Sequence, residues 1–190
     1  MKWLAYRYLR LRGWTFLGEL PDIPKMILLG APHTSNWDFV LFLGALYHYD
    51  FQTTFIGKQE LFRWPFGFLF RSWGGIPVDR SRPGGIVRTV AEAFEEAEQM
   101  NLVVAPEGTR KPIPYWKAGF VWIADAADVP VVPAGVDGTN RTLEIGPTVP
   151  YEGDLTAFMD KIRAYYSTKD GINPEGKGPV RVRKEGAARS

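Results

Sequence analysis

The sequence predicts a single α/β domain in which a mostly parallel or mixed sheet is flanked by helices. Short apolar runs typical of buried strands alternate along the chain with amphipathic segments of helical period. Its 190 residues suit one hydrophobic core better than two, and a content of 45% hydrophobic and 23% charged residues is typical of a globular protein. Alternation of this kind favours a sheet with helices on both faces.

The predicted strands are short and are bounded by glycine, proline or polar residues. They cover residues 25–30, 53–57, 76–78, 101–105, 129–136 and, less regularly, 142–149. The predicted helices place apolar residues at spacings of three and four. They cover residues 1–13, 37–49, 84–100, 117–127 and a last segment whose apolar face runs from Leu155 to Tyr166. The helix at 37–49 is apolar over most of its circumference, so we expect it to be buried.

Composition divides the chain into three regions. Residues 1–20 form an N-terminal segment in which Trp and Tyr lie beside arginine, with a basic amphipathic helix at residues 1–13, and we expect this segment to contact a membrane surface. Residues 21–169 form the domain proper. Residues 170–190 are rich in glycine, proline and positive charge and are expected to form a flexible basic tail. The longest apolar stretch, residues 39–47, is about half of what a bilayer-spanning helix requires, so attachment would be peripheral.

His33 and Asp38 are the most informative pair in the sequence. The chain has two histidines, and imidazole, with an unperturbed pKa of about 6.5, is the natural group to deprotonate a hydroxyl near neutral pH. A carboxylate five positions downstream, across a turn into a helix, can reach the other ring nitrogen and fix its tautomer. The pair is therefore a candidate general base with its orienting carboxylate. The alternative is a histidine that caps a buried turn.

The sequence offers no nucleophile to accompany this base. It has no cysteine and no G-x-S-x-G elbow, and Thr34 and Ser35 are too close to His33 for the usual nucleophile geometry. No covalent acyl-enzyme is therefore expected, and the attacking hydroxyl would belong to a substrate. The absence of cysteine also excludes disulfides and thiolate metal sites and favours a reducing, cytoplasmic compartment.

Three charged loops follow predicted strands, where open α/β sheets carry their chemistry. They cover residues 33–38, 79–82 and 107–110. If they converge, the base lies beside two or three guanidinium groups, whose planar fork matches the oxygens of a phosphate. The loops therefore predict a phosphorylated substrate. The alternative for each arginine is a surface ion pair with Asp79 or Glu107.

Four blocks in one order resemble the PlsC-type glycerolipid acyltransferase family, typified by 1-acylglycerol-3-phosphate acyltransferases. They are residues 33–38 (HTSNWD, an H-x4-D motif), 75–80 (GIPVDR), 106–110 (PEGTR) and 129–133 (VPVVP). Lys117-Ala118-Gly119 follows the third block as a lysine-x-glycine does in the family. The resemblance implies a glycerol-3-phosphate acyltransferase-like fold. Pro77 and the insertion at residues 111–114 depart from the commonest versions of the family's blocks.

The resemblance also implies an activity and a set of site residues. A fatty acyl group would move from an acyl-CoA or acyl-ACP thioester to a hydroxyl of a lysophosphatidate-like glycerophospholipid, with no metal or other cofactor. His33 and Asp38 would be catalytic. The residues that align with the family's substrate-binding positions are Arg80, Glu107, Gly108, Thr109, Arg110 and Lys117. The arginines would hold phosphate, whereas Glu107 would contact the glycerol hydroxyls or the loop itself.

The expected partners are the lysophospholipid acceptor, the acyl thioester donor, the cytoplasmic face of the cell membrane and, if it carries the acyl group, acyl carrier protein. A net charge of +2 spread along the chain gives weak grounds for binding nucleic acid.

Several alternatives remain open at this point. A second enzyme hypothesis is the same acyl transfer to a non-phosphorylated lipid acceptor. A hypothesis of another class is a non-catalytic, lipid-binding membrane module, and a thioesterase is a third reading. A metal hydrolase has less support, since His48 and Asp50 add only an isolated second imidazole.

Overall fold

Seven strands form one sheet in the computed structural model of the protein, which describes residues 1–63, 68, 74–78, 85–183 and 185. The strands are β1 (Thr15–Leu17), β2 (Lys25–Ala31), β3 (Thr54–Lys58), β4 (Gly75–Val78), β5 (Met100–Val104), β6 (Val131–Asp137) and β7 (Thr142–Ile145). The α-helices within these ranges are α1 (Lys2–Leu11), α2 (Asp38–His48), α3 (Gly85–Glu96), α4 (Gly119–Ala127) and α5 (Leu155–Tyr166). Two short 3-10 helices cover Gln59–Phe62 and Pro174–Gly176.

The strand order across the sheet is β1-β7-β6-β2-β5-β3-β4. Neighbouring strands are parallel except β6 and β7, which are antiparallel. The predicted mostly parallel or mixed sheet is thereby confirmed. β2 lies in the middle and buries residues 26–29 in succession, which is why its sequence is a continuous apolar run rather than an alternation.

Helices cover both faces of the sheet, and each face has its own hydrophobic core. On one face α3, α4 and α5 bury large side chains such as Phe94, Phe120 and Tyr166. On the other face α1 and α2 pack against each other, and Leu9 and Leu41 are buried against the sheet. Because helices cover both faces, the ends of the strands are the accessible part of the sheet.

Three elements differ from their predicted form. The helix at 37–49 was expected to be buried, but α2 buries only one side, including Leu41 and Ala45, while Phe39 is 62% exposed and Tyr47 42% exposed. Strand β1 was not predicted, because Thr-Phe-Leu is too short to show an alternation. It forms by pairing in parallel with β7. Met100, placed at the end of a predicted helix, instead begins β5 and pairs with Lys25 of β2.

The N-terminal helix α1 is the basic amphipathic helix that the sequence predicted. Its Leu9 is buried in the core, whereas Trp3, Leu4, Tyr8 and Leu11 are exposed. Within the described ranges, no helix combines the length and the apolar character needed to cross a bilayer.

Residues 170–183, assigned from composition to a flexible tail, make specific contacts with the domain. Val182 is buried and pairs with Trp116, whose main-chain N–H donates to Arg181 at 2.8 Å. The guanidinium of Arg181 in turn donates to the carbonyl of Pro114 at 2.9 Å. The buried contacts are made by a few apolar residues such as Val182. Composition did not predict them, because glycine, proline and charged residues dominate the segment.

Candidate functional site

Two loops that carry predicted site residues leave the same edge of the sheet, and the third, residues 79–82, lies outside the described residues. β2 and β5 are adjacent and parallel, with Leu29 opposite Val104 near their carboxyl ends. The loop at residues 32–37 follows β2, and the loop at 105–110 follows β5. Two of the three predicted loops therefore meet, as expected for a parallel sheet.

The His33 and Asp38 side chains are hydrogen-bonded to each other. His33 Nδ1 lies 2.9 Å from Asp38 Oδ2, so this geometry assigns the ring proton to Nδ1 and leaves Nε2 as the acceptor. The side chain of His33 is 32% exposed and that of Asp38 is 9% exposed. The imidazole can therefore meet a substrate while the carboxylate behind it is shielded.

The backbone of the same loop holds the carboxylate in place. Asp38 Oδ2 also accepts the main-chain N–H groups of Thr34 at 2.9 Å and Ser35 at 2.8 Å. Asp38 is the first residue of α2, where the helix dipole favours a negative charge. Three donors thus converge on one oxygen of the carboxylate and fix its orientation. Its other oxygen, Oδ1, is buried and has no hydrogen-bond partner within the described ranges.

Glu107 connects the second loop to the first. It is 6% exposed, and its Oε1 accepts the main-chain N–H of His33 at 3.2 Å. Burial raises the pKa of Glu107, although the hydrogen bond from His33 opposes this effect. Its Oε2 is buried, with no hydrogen-bond partner in the part of the chain that the structure describes. The contact with the His33 loop is one of the two contacts that the resemblance offered for Glu107.

Gly108 of the second loop lies against the side chain of Lys117, which precedes α4. Gly108 has a φ of +64°, and a Cβ at this position would lie 2.4 Å from Lys117 Nζ. Any side chain here would be strained and would displace the lysine. Glycine therefore lets the ammonium group lie directly over the loop.

Arg110 also reaches the first loop. Its Nη1 donates to Asn36 Oδ1, and Asn36 lies between His33 and Asp38 in sequence. Thr109 has a more local contact, since its hydroxyl accepts the main-chain N–H of Lys111 at 3.3 Å. Arg80 lies outside the described residues. The structure thus brings Glu107 and Arg110 to the His33 loop.

A cavity of about 240 Å³ adjoins His33 and lies between α2 and the sheet. The walls are almost entirely apolar and include Phe39, Phe42, Ala45, Val104 and Ile145. Sequence reasoning missed this cavity, because each of these residues has the pattern of ordinary core. The exposed Phe39 gives no signal in the sequence either, because it is one apolar residue on a largely apolar helix.

The second histidine has a packing role. His48 stacks on Phe16 at 4.9 Å and on Tyr6 at 5.6 Å between ring centroids. Burial and nearby Arg10 lower the pKa of His48, which favours a neutral ring among aromatic neighbours. Across the described ranges, no three His, Asp or Glu residues are placed to hold a metal ion.

Comparison with known proteins identifies the family. A family model described as Acyltransferase matches residues 19–137. The 1-acyl-sn-glycerol-3-phosphate acyltransferase of Bacillus subtilis (strain 168) is 31% identical over 72% of this chain and 69% of that protein. Proteins of the same name are 28% identical in Cocos nucifera, over 86% of this chain and 66% of that protein, and 33% identical in Limnanthes alba, over 61% and 42%. The chain spans less than two thirds of the length of these two plant proteins.

The fold has a counterpart among solved structures. The crystal structure of the 1-acyl-sn-glycerophosphate (LPA) acyltransferase PlsC from Thermotoga maritima aligns with a TM-score of 0.57 and 21% identity, covering 86% of this chain and 72% of that chain. At this level of identity the match shows a shared fold. The family model covers most of the chain, and this protein therefore belongs to the acyltransferase family, the PlsC-type family that its four blocks resemble.

Proposed function

We propose that this protein transfers a fatty acyl group from an acyl thioester to a hydroxyl of a lysophosphatidate-like acceptor. The observation that carries the proposal is the His33–Asp38 pair, 2.9 Å apart, which adjoins an apolar cavity. Arg110 contacts Asn36 of the same loop, and Lys117 lies against Gly108 of the neighbouring loop. An acyl chain needs an apolar cavity, whereas a phosphate needs cations. We assign the imidazole to the boundary between these two environments.

The reaction follows from the protonation state of the pair. His33 Nε2 takes the proton of the acceptor hydroxyl as its oxygen attacks the thioester carbonyl. Asp38 stabilises the imidazolium that results. The tetrahedral intermediate then collapses, the C–S bond breaks, and the proton passes from His33 to the departing thiolate. General-base catalysis of this kind contributes about 10²- to 10⁴-fold in rate. No cofactor enters these steps, because a thiolate leaves readily.

The first test is the reaction itself. Purified protein is incubated with lysophosphatidate and acyl-CoA or acyl-ACP thioesters of mixed chain length, and new lipids are identified by mass spectrometry. Formation of phosphatidate is expected, and the donor that is consumed identifies the carrier. Thioester hydrolysis without a lipid product would indicate a thioesterase and reject the proposal.

We assign the acyl chain of the donor to the cavity beside His33. Ala45 of α2 is 6% exposed and lines this cavity, so Ala45→Phe is expected to shorten the space available to the chain. Each buried methylene contributes about 0.8 kcal/mol, and excluding about two or three of them lowers the preference for long over short acyl chains roughly 10- to 60-fold. The measurement is kcat/KM for a series of acyl thioesters.

Ala157→Phe is the matched control for this series, because Ala157 lies on an exposed position of α5. It is expected to leave the chain-length profile unchanged. An unaltered profile in Ala45→Phe protein of normal stability would place the acyl chain elsewhere.

We further propose that the exposed apolar face of α1 and α2 lies on a membrane surface. Trp3 and Leu4 of α1 are 49% and 61% exposed, Tyr8 stacks on Trp37 at 5.9 Å, and Phe39 lines the cavity as well as facing solvent. Arginines at positions 7, 10 and 12 flank this face and favour anionic headgroups. An acyl chain or a lipid acceptor could then reach His33 directly from the bilayer.

Leu4→Glu tests this attachment. Burying a leucine contributes about 1.5–3 kcal/mol, so losing it is expected to weaken binding to vesicles of phosphatidylcholine and phosphatidylglycerol about 10-fold or more in a co-sedimentation assay. Leu17→Glu is the control, since Leu17 is 41% exposed on β1, outside the proposed face. Equal loss of binding in both variants would argue against the assigned face.

A further inference from the structure

The chain after α5 crosses the carboxyl edge of the sheet beside the His33 loop. We call residues 169–178 the C-terminal strap. Gly171 joins it to β6, because its N–H donates to Val136 O at 2.9 Å and its carbonyl accepts from Gly138 at 2.9 Å. Gly176 lies against Thr34, with a hypothetical Cβ only 3.0 Å from Thr34 Cβ. The strap lies outside the residues that the family model matches, and it touches the loop that carries the proposed base.

Asn173 makes two hydrogen bonds from the strap to Thr34. Its main-chain N–H donates to Thr34 Oγ1 at 3.0 Å, and its side-chain Nδ2 donates to Thr34 O at 3.0 Å. Thr34 is 5% exposed, whereas Asn173 is exposed. The carbonyl of Thr34 can only accept, which settles the orientation of the Asn173 amide.

The second of these bonds acts on the same peptide unit that holds Asp38. Thr34 O and Ser35 N belong to one planar peptide group, so fixing the carbonyl also fixes the direction of the N–H. That N–H donates to Asp38 Oδ2 at 2.8 Å, and the same oxygen lies 2.9 Å from His33 Nδ1. A continuous path of hydrogen bonds therefore leads from Asn173 through one peptide plane to the imidazole.

We infer that Asn173 is a positioning residue for acyl transfer, which orients the Asp38 carboxylate, and through it His33, by fixing the Thr34–Ser35 peptide. The inference rests on the proposed roles of His33 and Asp38. Hydrogen bonds in series polarise one another, so the amide also strengthens the Ser35 N–H as a donor. Asn173 touches neither substrate in this role and acts only through the loop.

Asn173→Asp tests the inference, because it keeps the size of the side chain but replaces the amide donor with an acceptor that faces Thr34 O. The main-chain bond to Thr34 Oγ1 remains. We expect kcat to fall about 10-fold, within the ~10²-fold that a misplacement of about 1 Å can cost, while KM for the acceptor changes less than about twofold. Because Asn173 is exposed, the melting temperature should change little. Asn173→Gln, which restores the donor, should recover part of the activity.

Asn101→Asp is a matched control. Asn101 Nδ2 also donates to a main-chain carbonyl, that of Gln52, at 3.0 Å, but it lies near the start of β5, at the opposite edge of the sheet. The two substitutions remove the same kind of hydrogen bond. Only Asn173→Asp should lower kcat.

The orientation of His33 can also be read without catalysis. With two histidines in the chain, the Nδ1–H proton of His33 can be assigned by NMR, using its loss in Asp38→Asn as the reference. Asn173→Asp should weaken or shift this signal, whereas Asn101→Asp should leave it unchanged. If Asn173→Asp folds poorly, Asn173→Ala removes the donor without adding a charge.

An unchanged NMR signal together with an unchanged kcat in the Asn173 variant would overturn the inference. A fall in melting temperature with both readouts unchanged would mean that Asn173 serves stability alone, and would overturn it equally. Failure of the proposed function is a separate result, namely full transfer activity in His33→Ala protein, and the NMR comparison does not depend on it.

Discussion

Replacing His33 with alanine is expected to lower kcat for acyl transfer about 10²- to 10⁴-fold, because the acceptor hydroxyl then loses the general base that we propose for it. The fold should be retained. The His33 main-chain N–H still donates to Glu107, and a 32% exposed side chain leaves no large void when it is removed. The measurement is a steady-state assay with a radiolabelled acyl thioester and lysophosphatidate, accompanied by thermal unfolding.

His48→Ala is the matched control for this experiment. The second histidine is exposed at the end of α2 and stacks on Tyr6 and Phe16, so its removal should change stability little and should not abolish transfer. Full activity in the His33→Ala variant would exclude the proposed role of the imidazole. Full activity in the His48→Ala variant is expected.

Arg110→Ala is expected to raise the KM for a phosphorylated acceptor roughly 10- to 150-fold, the range that corresponds to losing a charge-assisted hydrogen bond of about 1.5–3 kcal/mol. The effect on kcat should be smaller, since the role proposed for the arginine is to bind the phosphate and not the reacting carbonyl. Steady-state kinetics with varied lysophosphatidate measures both constants. Arg88→Ala is the control, because Arg88 is an exposed arginine on α3, paired with Glu92 at 2.7 Å.

Two comparisons separate phosphate binding from a structural role of Arg110. A phosphate-free acceptor, monoacylglycerol, should show no such rise in KM. Asn36→Ala removes the bond between the two loops but keeps the guanidinium, so its KM should rise less than that of Arg110→Ala. An equal rise for both acceptors would contradict the assignment of Arg110 to phosphate and favour a non-phosphorylated lipid acceptor.

Local patterns predicted much of this fold. The continuous apolar run of β2 reflects burial on both faces, and the spacing of apolar residues by three and four correctly predicted helix α3, which buries Val90 and Phe94. Strand β1 could not be predicted from the sequence, because three residues show no period and its pairing with β7 is a contact between segments distant in sequence. The exposed side of α2 could not be told from its buried side, because apolar residues occupy most of its circumference.

The candidate site shows a similar division. The proximity of His33 and Asp38 was predictable because five residues span one turn, and the meeting of the Glu107 and His33 loops followed from the rule for parallel strands. The cavity was not predictable, since it is formed by gaps among residues of ordinary core character. Nor was Asn173, which lies 139 positions from Thr34 in a segment whose composition indicated a flexible tail.

The central claim is that the imidazole of His33 and the carboxylate of Asp38 act as one unit in acyl transfer. A double-mutant cycle of His33→Ala and Asp38→Asn, with kcat/KM measured for the four proteins under identical conditions, tests it most directly. Groups that act as a unit are strongly non-additive, so the double variant should be no less active than His33→Ala alone. If the two losses multiply, the residues act independently and the account is contradicted.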